Sequence, residues 1–477
     1  PFFSEASDVA HSIEWASTLA GGDGRVATYG FSYPGLGQLL AAQRKPDGLA
    51  CIAPALTAGS PYREWFYAQG AFELAFAASW ANYLALDTAR SQADLAAYGQ
   101  LAVALAGSAG GFWSLPIAQY PPLAGQEAGY FFDWVAHPTF DEYWRTIEVD
   151  YDLVDAPALH LGGWYDVFVR GTVRSFSELV RRGRPQQKLV IGPWHHMPWR
   201  PLSGAPADAG PPVADDWHLR FWREVLLDEP SGVFDSPVTA YVMNDGWRDL
   251  DHWPPSQMRG VDWYLHSGGR AASEFGDGAL TTEPPAEEVP DTLGYDPDLP
   301  SMSVGGHSCC VEELVPMGPV DQSPRERTKL VLVYTSDALP DDLVLIGDVW
   351  MTLHAASTAP DTDFAARFCV VDEAGVSTNV LEGIVRARFR DSLADPTLIE
   401  PGRVYEYRIE LGPVGRRVPA GHRLRVTISS SDFPQWDRNL NSGGPLYTET
   451  ALAGKVAVQT ILHDAGYPSR VTLPVLG

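Results

Sequence analysis

A serine between two glycines, directly after a short apolar run, is the feature that most constrains the fold of this chain. The run Val26–Tyr29 predicts a buried strand, Ser32 follows in the segment Gly-Phe-Ser-Tyr-Pro-Gly (30–35), and the small residues of 36–43 have helical spacing. Strand, tight turn carrying serine and then helix is the context of a nucleophile elbow. The glycines let strand and helix approach each other without a side-chain clash. We therefore predict that Ser32 is a nucleophile at the amino end of a helix, where backbone N–H groups can stabilise an oxyanion.

Two later strands carry the partners that such a serine needs. The apolar run 156–162 is followed by Asp166, and the run 188–193 is followed by His195 and His196. Serine, then acid, then histidine is the chain order of α/β-hydrolases. The serine needs a base within hydrogen-bond reach, and the base needs a carboxylate that holds its tautomer. The spacing leaves His195 and His196 as alternatives for the base.

Other acids compete with Asp166. Asp150, Asp152 and Asp155 precede the same strand, where they would lie at the wrong end of a parallel sheet. Asp166 follows the strand, at the carboxyl end where sites form. We therefore assign the acid to Asp166. A metal site at 195–196 lacks further ligands nearby, so we predict no metal.

The pattern along the chain predicts three parts. Residues 1–58 and 134–232 form an α/β-hydrolase domain with a parallel sheet, interrupted by a helical cap at 59–133. Residues 233–477 are regular short strands broken by Gly, Pro and Asp, typical of an antiparallel β-sandwich, and Val238–Met243 is its first strand. The fold class is therefore α/β with a C-terminal sandwich.

The cap is rich in alanine and aromatic residues, and Leu86–Leu105 is predicted to be one long helix. An aromatic stripe more often forms core than pocket. A cap over an elbow must nevertheless line the entrance, so we expect Trp65 and Phe76 to contact substrate.

Charge and composition exclude other classes of function. A net charge of -26 argues against nucleic acid and anionic membrane as partners, and no apolar run is long enough to span a bilayer. Four cysteines are too few for a disulfide framework and form no zinc pattern. In the α/β-hydrolase arrangement several strands precede the elbow, so we expect that roughly a hundred residues are missing before Pro1. A separate N-terminal fragment that completes the sheet is one way to supply them. A cytoplasmic location is slightly favoured, a homo-oligomer is possible, and the sequence determines neither.

Three segments resemble the bacterial cocaine esterase and X-Pro dipeptidyl-peptidase family of serine hydrolases, the CocE/NonD type. These are 30–35, then Gly-Gly-Trp-Tyr-Asp (162–166) and Gly-Pro-Trp-His-His (192–196). The similarity continues through 247–248 with 253–254, 296–297 with 305–306, 361–364, 386–390 and 429–434. It covers essentially the whole chain. The resemblance implies an α/β-hydrolase domain, an inserted helical cap and a C-terminal jelly-roll sandwich, acting without a cofactor.

Carried over by position, the resemblance places the nucleophile at Ser32 and the acid at Asp166. The base falls on the last histidine of its segment, His196, which decides between the two alternatives. The backbone N–H of Tyr33 would be one oxyanion donor, and the family's other donor, a tyrosine hydroxyl, would come from the missing region. The resemblance also implies that residues beside the acid line the pocket, namely Trp164 and Phe168.

The predicted function is hydrolysis of small acyl esters or amides through an acyl-enzyme intermediate. An X-Pro dipeptidyl-peptidase and an amino-acid ester hydrolase or acylase are alternatives within the family. A peptidase needs acids to hold the free amine of its substrate, and the cap offers few, Glu64, Glu73 and Asp87. This favours uncharged, partly aromatic acyl groups. A non-catalytic protein that binds ligands through its sandwich is the alternative from another class.

Overall fold

Two large sheets organise the computed structural model, which describes residues 2–197, 202, 212–310 and 316–477. In chain order, the elements up to residue 250 are α1 (Glu5–Ser17), β1 (Val26–Phe31), α2 (Tyr33–Ala42), β2 (Leu49–Ala55), β3 (Tyr67–Ala68), β4 (Ala71–Phe72), α3 (Leu74–Ser91), α4 (Leu95–Ala106), α5 (Ser108–Gly111), α6 (Gly129–Ala136), α7 (Glu142–Arg145), β5 (Ala158–Tyr165), α8 (Val169–Arg181), β6 (Gln187–His195), α9 (Pro212–Leu227), β7 (Val238–Val242) and β8 (Gly246–Leu250). A π-helical turn spans Tyr62–Phe66, and 3₁₀ turns span Ile117–Gln119 and Pro121–Leu123.

The second sheet follows. Its region contains β9 (Met258–His266), β10 (Ala279–Thr281), β11 (Asp291–Tyr295), α10 (Ser323–Glu326), β12 (Leu332–Thr335), β13 (Leu343–Ser357), β14 (Asp363–Val371), β15 (Ser377–Arg386), β16 (Tyr405–Val418), β17 (Arg423–Ser429), β18 (Ala457–Leu462) and β19 (Arg470–Leu476), with 3₁₀ turns at Ala387–Phe389 and Ala451–Ala453.

The front sheet has the order β1-β2-β5-β6-β7-β8 and is parallel from β1 to β7. Helices α2 and α8 pack on its strands, and α9 packs against β2 and β5. All eight residues of β5 and all nine of β6 are buried. A strand covered on both faces is a continuous apolar run, which is why these strands were visible in the sequence.

The predicted boundary at 233 between hydrolase domain and sandwich does not match the sheets. We predicted Val238–Met243 as the first sandwich strand, but β7 pairs in parallel with β6, and β8 pairs antiparallel with β7. Both strands therefore extend the front sheet to Leu250. A five-residue run of β-forming residues predicts a strand, but it carries no information about which sheet the strand joins.

A helical insertion, residues 56–157, separates β2 from β5. The prediction of one helix over Leu86–Leu105 was wrong, because α3 ends at Ser91 and α4 begins at Leu95. The side chain of Asp94 accepts hydrogen bonds from the N–H groups of Ala96 and Ala97, at 3.1 and 3.0 Å, and so caps α4. The predicted end of the cap at 133 falls inside α6.

The C-terminal region is an eleven-stranded mixed sheet. Its strands pair antiparallel except β10 with β12, and its core is one large apolar cluster. We expected regular short strands, but β13 and β16 have 15 and 14 residues and pair along most of their length. The adjacent Cys309 and Cys310 form a disulfide bond that the sequence analysis did not predict. Over the ranges described, no helix combines the length and apolar composition needed to cross a membrane.

Candidate active site

Ser32 occupies a strained turn between β1 and α2. Its backbone has φ 60° and ψ −127°, a conformation that non-glycine residues rarely adopt and that clusters at functional sites. A Cβ on Gly30 would lie 2.8 Å from the Cβ of Pro34, and one on Gly35 would lie 2.7 Å from Cγ2 of Thr57. Both positions therefore require glycine, as the motif predicts. The turn presents the Ser32 hydroxyl at the amino end of α2.

The three predicted catalytic residues come together at the carboxyl ends of three strands. Oγ of Ser32, after β1, lies 3.0 Å from Nε2 of His196, after β6. Nδ1 of His196 lies 2.8 Å from Oδ1 of Asp166, after β5. With its proton on Nδ1, His196 donates to Asp166 and leaves Nε2 as the acceptor for the serine hydroxyl. The arrangement can deprotonate Ser32 and stabilise the imidazolium that forms.

The competing residues lie elsewhere. His195 is the last residue of β6, and its Nδ1 accepts the N–H of Met197 at 3.0 Å. Asp152 pairs with Arg182, and Asp155 pairs with Lys45, in the segment that precedes β5. The structure therefore brings together Ser32, Asp166 and His196, as the resemblance implied.

The candidate acid and base are almost fully enclosed, whereas Ser32 is half-buried. Asp166 is 0% exposed and His196 is 4% exposed. Low local dielectric strengthens the interaction between a carboxylate and an imidazolium, so burial makes this pair effective. Oδ2 of Asp166 is buried and has no hydrogen-bond partner among the described residues. The carboxylate is thus held through Oδ1 by His196 and through the backbone on either side of it.

Tyr33 lies at the first position of α2. The N–H groups of the first helical turn have no partner inside the helix, so the Tyr33 N–H is available to an oxyanion beside Ser32. The Ser32 N–H is not, because it donates to the carbonyl oxygen of Ala55 at 2.9 Å. The Tyr33 hydroxyl donates to Glu5, so the side chain is anchored to α1.

The aromatic ring of Phe168 contacts the base, and aromatic side chains of the helical insertion pack against it. The Phe168 ring lies 5.1 Å from the His196 ring and 4.1 Å from the Trp65 ring, and Phe76 lies 5.6 Å from Phe168. Three of the four predicted pocket residues therefore form one cluster beside the triad. Trp80 belongs to the same cluster, 5.8 Å from Trp65, and was not predicted as a site residue. Its helical spacing from Phe76, one turn earlier on α3, is the signal that could have identified it.

Trp164 is placed differently from the prediction. Successive side chains of a strand point to opposite faces. The Trp164 ring packs in another cluster, with Trp253 at 6.0 Å, and a Cβ on Gly415 of β16 would lie 2.4 Å from its Cζ2. Trp164 therefore joins the two sheets, and we leave it out of the pocket. In the part of the chain that the structure covers, no cluster of three or more His, Cys, Asp or Glu side chains could hold a metal ion.

Comparison with known proteins gives two family matches that span most of the chain. Residues 1–198 match the profile of the X-Pro dipeptidyl-peptidase (S15 family). Residues 232–472 match the X-Pro dipeptidyl-peptidase C-terminal non-catalytic domain. The second profile begins at residue 232, whereas the front sheet continues to Leu250.

Individual relatives agree with these matches. Cocaine esterase from Rhodococcus sp. (strain MB1 Bresler) is 34% identical over 495 residues, which cover 100% of this chain and 85% of that protein. The fold is similar to that of an aminopeptidase from a marine sediment archaeon, Thaumarchaeota archaeon, with a TM-score of 0.80 at 22% identity. An α-amino acid ester hydrolase has a TM-score of 0.80 at 19% identity. Each structural match covers 99% of this chain and 80% of the other.

Proposed function

Because the chain belongs to the cocaine esterase and X-Pro dipeptidyl-peptidase family of serine hydrolases, we propose that Ser32, His196 and Asp166 are its catalytic triad. The protein is a serine hydrolase that acts on ester or amide bonds. The observation that carries the proposal is the continuous hydrogen-bonded chain from Ser32 Oγ through His196 to Asp166, at 3.0 and 2.8 Å. These distances lie within the reach that general-base catalysis requires.

The reaction proceeds in two halves. His196 Nε2 takes the Ser32 proton as Oγ attacks the substrate carbonyl, and Asp166 orients the ring and stabilises the imidazolium. The tetrahedral intermediate then collapses, and His196 gives its proton to the departing alcohol or amine, which leaves an acyl group on Ser32. Water, deprotonated by the same histidine, attacks that acyl group and releases the acid.

The Tyr33 N–H is the proposed oxyanion donor. It begins α2, next to the nucleophile, where the positive end of the helix dipole adds to the stabilisation of negative charge. Loss of one such donor typically costs about 10²–10³-fold in kcat. A separate N-terminal fragment that completes the front sheet stays a prediction.

The substrate class follows from the surroundings of the triad. Trp65, Phe76 and Phe168 offer an apolar, aromatic wall beside His196. We propose small esters or amides with an uncharged, partly aromatic acyl group as substrates. Aromatic walls bind such groups by burial and by ring stacking.

The three acids that a peptidase could use for a substrate amine have other partners. Glu64 pairs with Arg174 at 3.1 Å, Glu73 accepts the indole N–H of Trp436 at 2.7 Å, and Asp87 pairs with Arg90. Burial also raises the pKa of Glu73 to about 8, so that this carboxyl is largely neutral at pH 7. This argues for an esterase over the alternatives, an X-Pro dipeptidyl-peptidase or an amino-acid ester hydrolase.

The helical insertion is proposed as the cap that closes over the triad, and the mixed C-terminal sheet as the jelly roll implied by the resemblance. The aromatic residues of α3 support the first assignment because they reach the rings beside His196. The second rests on the match to the C-terminal domain profile.

Labelling with a fluorophosphonate probe tests the proposal. The intact mass increases by one adduct, peptide mapping places the adduct on Ser32, and Ser32→Ala abolishes both labelling and hydrolysis of p-nitrophenyl esters. Ser12→Ala, at an exposed serine of α1, serves as the matched control and keeps both. Comparison of p-nitrophenyl benzoate with an X-Pro p-nitroanilide separates the esterase from the peptidase. Unlabelled wild-type protein without hydrolytic activity would favour the remaining alternative, a binding protein that uses its sandwich.

A further inference from the structure

A histidine of the C-terminal domain contacts the strand that carries the catalytic acid. Nε2 of His307 lies 2.7 Å from the carbonyl oxygen of Trp164, two residues before Asp166. Nδ1 of His307 lies 2.8 Å from Oε1 of Glu382, on β15. His307 is 7% exposed and Glu382 is 1% exposed. The pair is therefore buried between the two sheets.

The partners of His307 fix its charge state. A carbonyl oxygen only accepts hydrogen bonds, so Nε2 must carry a proton. Oε1 of Glu382 also accepts the backbone N–H of His307 at 2.6 Å and the amide of Gln435 at 3.4 Å, so it too acts as an acceptor, and Nδ1 must donate to it. Both ring nitrogens thus donate, which makes His307 an imidazolium paired with a carboxylate.

The electrostatic surroundings agree with that charge state. Burial by itself would raise the pKa of Glu382, but the charge and hydrogen bonds of His307, together with the guanidinium of Arg367, hold this pKa well below its ordinary value. Gly306 makes room for the pair, since a Cβ there would lie 2.5 Å from Oε1 of Glu382. Charge-assisted hydrogen bonds of this kind are about twice as strong as neutral ones.

The C-terminal domain contacts the segment that carries Asp166 on both sides of this residue. The His307 ring stacks on the Tyr165 ring, with centroids 5.6 Å apart and planes at 20°. Beyond the acid, Arg170 of α8 donates to the backbone carbonyl oxygens of Glu382 and, at 3.0 Å, of Leu411. Asp166 itself donates its N–H to the carbonyl oxygen of Gly163 at 3.0 Å. The backbone on each side of Asp166 is therefore anchored to the C-terminal domain.

We propose that His307 and Glu382 are positioning residues for catalysis: their ion pair fixes the Trp164 carbonyl and, through it, places Asp166 against His196. The proposal rests on the triad assigned above. It gives a part in the reaction to a domain whose family profile is described as non-catalytic. A misplacement of about 1 Å in a catalytic group can cost about 10²-fold in rate, so a rigid anchor two residues from the acid affects turnover.

Two amide substitutions separate the contacts of His307. In His307→Gln the amide nitrogen takes the place of Nε2 and still donates to Trp164, whereas in His307→Asn the shorter side chain reaches only Glu382. We expect His307→Asn to lower kcat for p-nitrophenyl acetate by about 100-fold at nearly unchanged KM, and His307→Gln to restore at least tenfold of that loss. The acidic limb of the pH–rate profile should move to lower pH in His307→Asn, because the base loses its carboxylate partner.

His463→Gln is the matched control. His463 is another buried histidine of the same domain, bonded to Asp291 and Glu288 instead of the front sheet. We expect it to lower the thermal midpoint without changing kcat or the pH–rate profile. The proposal would be overturned if His463→Gln and His307→Asn, with equally lowered thermal midpoints, lost kcat to the same extent. Wild-type kinetics in both His307 variants would also overturn it.

The two proposals fail in distinguishable ways. Full activity in Ser32→Ala would refute the triad itself. Loss of activity in Ser32→Ala together with unaffected His307 variants would refute only the positioning role. Should His307→Asn not fold, Glu382→Gln tests the ion pair directly, since it removes the charge but keeps an acceptor for the His307 N–H. We expect it to lower kcat at nearly unchanged KM, and wild-type kcat in a folded Glu382→Gln would overturn the proposal.

Discussion

Two buried histidine–carboxylate pairs meet the same strand, and they differ in what the second ring nitrogen faces. His196 is bonded to Asp166 through Nδ1 and faces the Ser32 hydroxyl through Nε2. His307 is bonded to Glu382 through Nδ1 and faces the carbonyl oxygen of Trp164 through Nε2. The distances are nearly the same in both pairs. Proximity of a histidine to a carboxylate therefore does not define a catalytic base.

The difference lies in whether the facing group can give up a proton. A hydroxyl can donate to a ring nitrogen, so His196 can accept a proton and return it during a reaction cycle. A carbonyl oxygen has no proton to give, so His307 retains both of its own. The first pair is therefore suited to carry a proton, and the second to act as a fixed contact. Each of the following measurements tests this contrast or the regions that surround the two pairs.

The largest effect is expected at the catalytic pair. Asp166→Asn should lower kcat by about 10⁴-fold, because an amide stabilises the wrong tautomer of His196 and cannot balance the imidazolium charge. Steady-state hydrolysis of p-nitrophenyl acetate measures it. Asp150→Asn, at an exposed acid before the same strand, is the control and should keep wild-type kinetics. A loss below tenfold in Asp166→Asn would mean that another acid serves the base.

A third buried histidine, His160 on β5, is bonded to an amide instead of a carboxylate. Its Nε2 lies 3.2 Å from Oε1 of Gln187. Burial lowers the pKa of His160 in the folded protein to about 4. In the unfolded chain histidine has a pKa of about 6.5, so the unfolded chain binds a proton first as the pH falls. The free energy of unfolding should therefore decrease from about pH 6.5 towards about pH 4, by about 2 kcal/mol at about pH 5. Urea unfolding at a series of pH values measures this slope.

His160→Gln should remove that contribution, whereas His11→Gln, at an exposed histidine of α1, should leave the slope unchanged. An identical slope in wild type and His160→Gln would show that the acid sensitivity arises from other groups.

The pocket assignment predicts a smaller, kinetic effect. Phe168→Leu removes a ring whose centroid lies 4.1 Å from that of Trp65. It should raise KM for p-nitrophenyl benzoate by about tenfold, with little change for the acetate. Trp164→Phe should leave both KM values unchanged, since that ring packs between the two sheets. Equal responses of the two variants to the aromatic ester would contradict the placement of the pocket.

The smallest effect has the opposite pH dependence. Burial lowers the pKa of His463, but the hydrogen bonds and charges of Asp291 and Glu288 outweigh it, so that the pKa is raised overall. Its contribution to stability is therefore complete below about pH 6.5 and is lost as the pH rises through the folded pKa. We expect this contribution to the free energy of unfolding to be about 1 kcal/mol. In the wild type, the thermal midpoint should therefore decrease as the pH rises above about 6.5. Differential scanning calorimetry of His463→Gln should show a smaller decrease over the same pH range.

Local sequence predicted the elements well where a segment is buried on both faces. The strands β5 and β6 are buried along their whole length, and the elbow was visible because only glycine fits at positions 30 and 35. The prediction that β1 is a buried strand was wrong, because β1 is the last described strand at its edge of the front sheet and Tyr29 is 68% exposed. The break between α3 and α4 was missed although Asp94 is a good capping residue, because alanine-rich sequence continues the helical pattern across it. The prediction placed β7 in the wrong sheet, because the sequence of a short strand does not encode the strand with which it pairs.

The sequence by itself determined the assignments that we propose for the site: which serine, which acid and, with the family resemblance, which histidine. Those assignments depend on order along the chain and on glycine positions, and both are local properties. Only the tertiary structure showed that Trp164 packs between the two sheets and that Trp80 packs beside Trp65. It also showed that His307 contacts the carbonyl oxygen of Trp164, 143 residues earlier in the chain. Contacts between distant segments depend on how two sheets pack, and no periodicity within either segment encodes that packing.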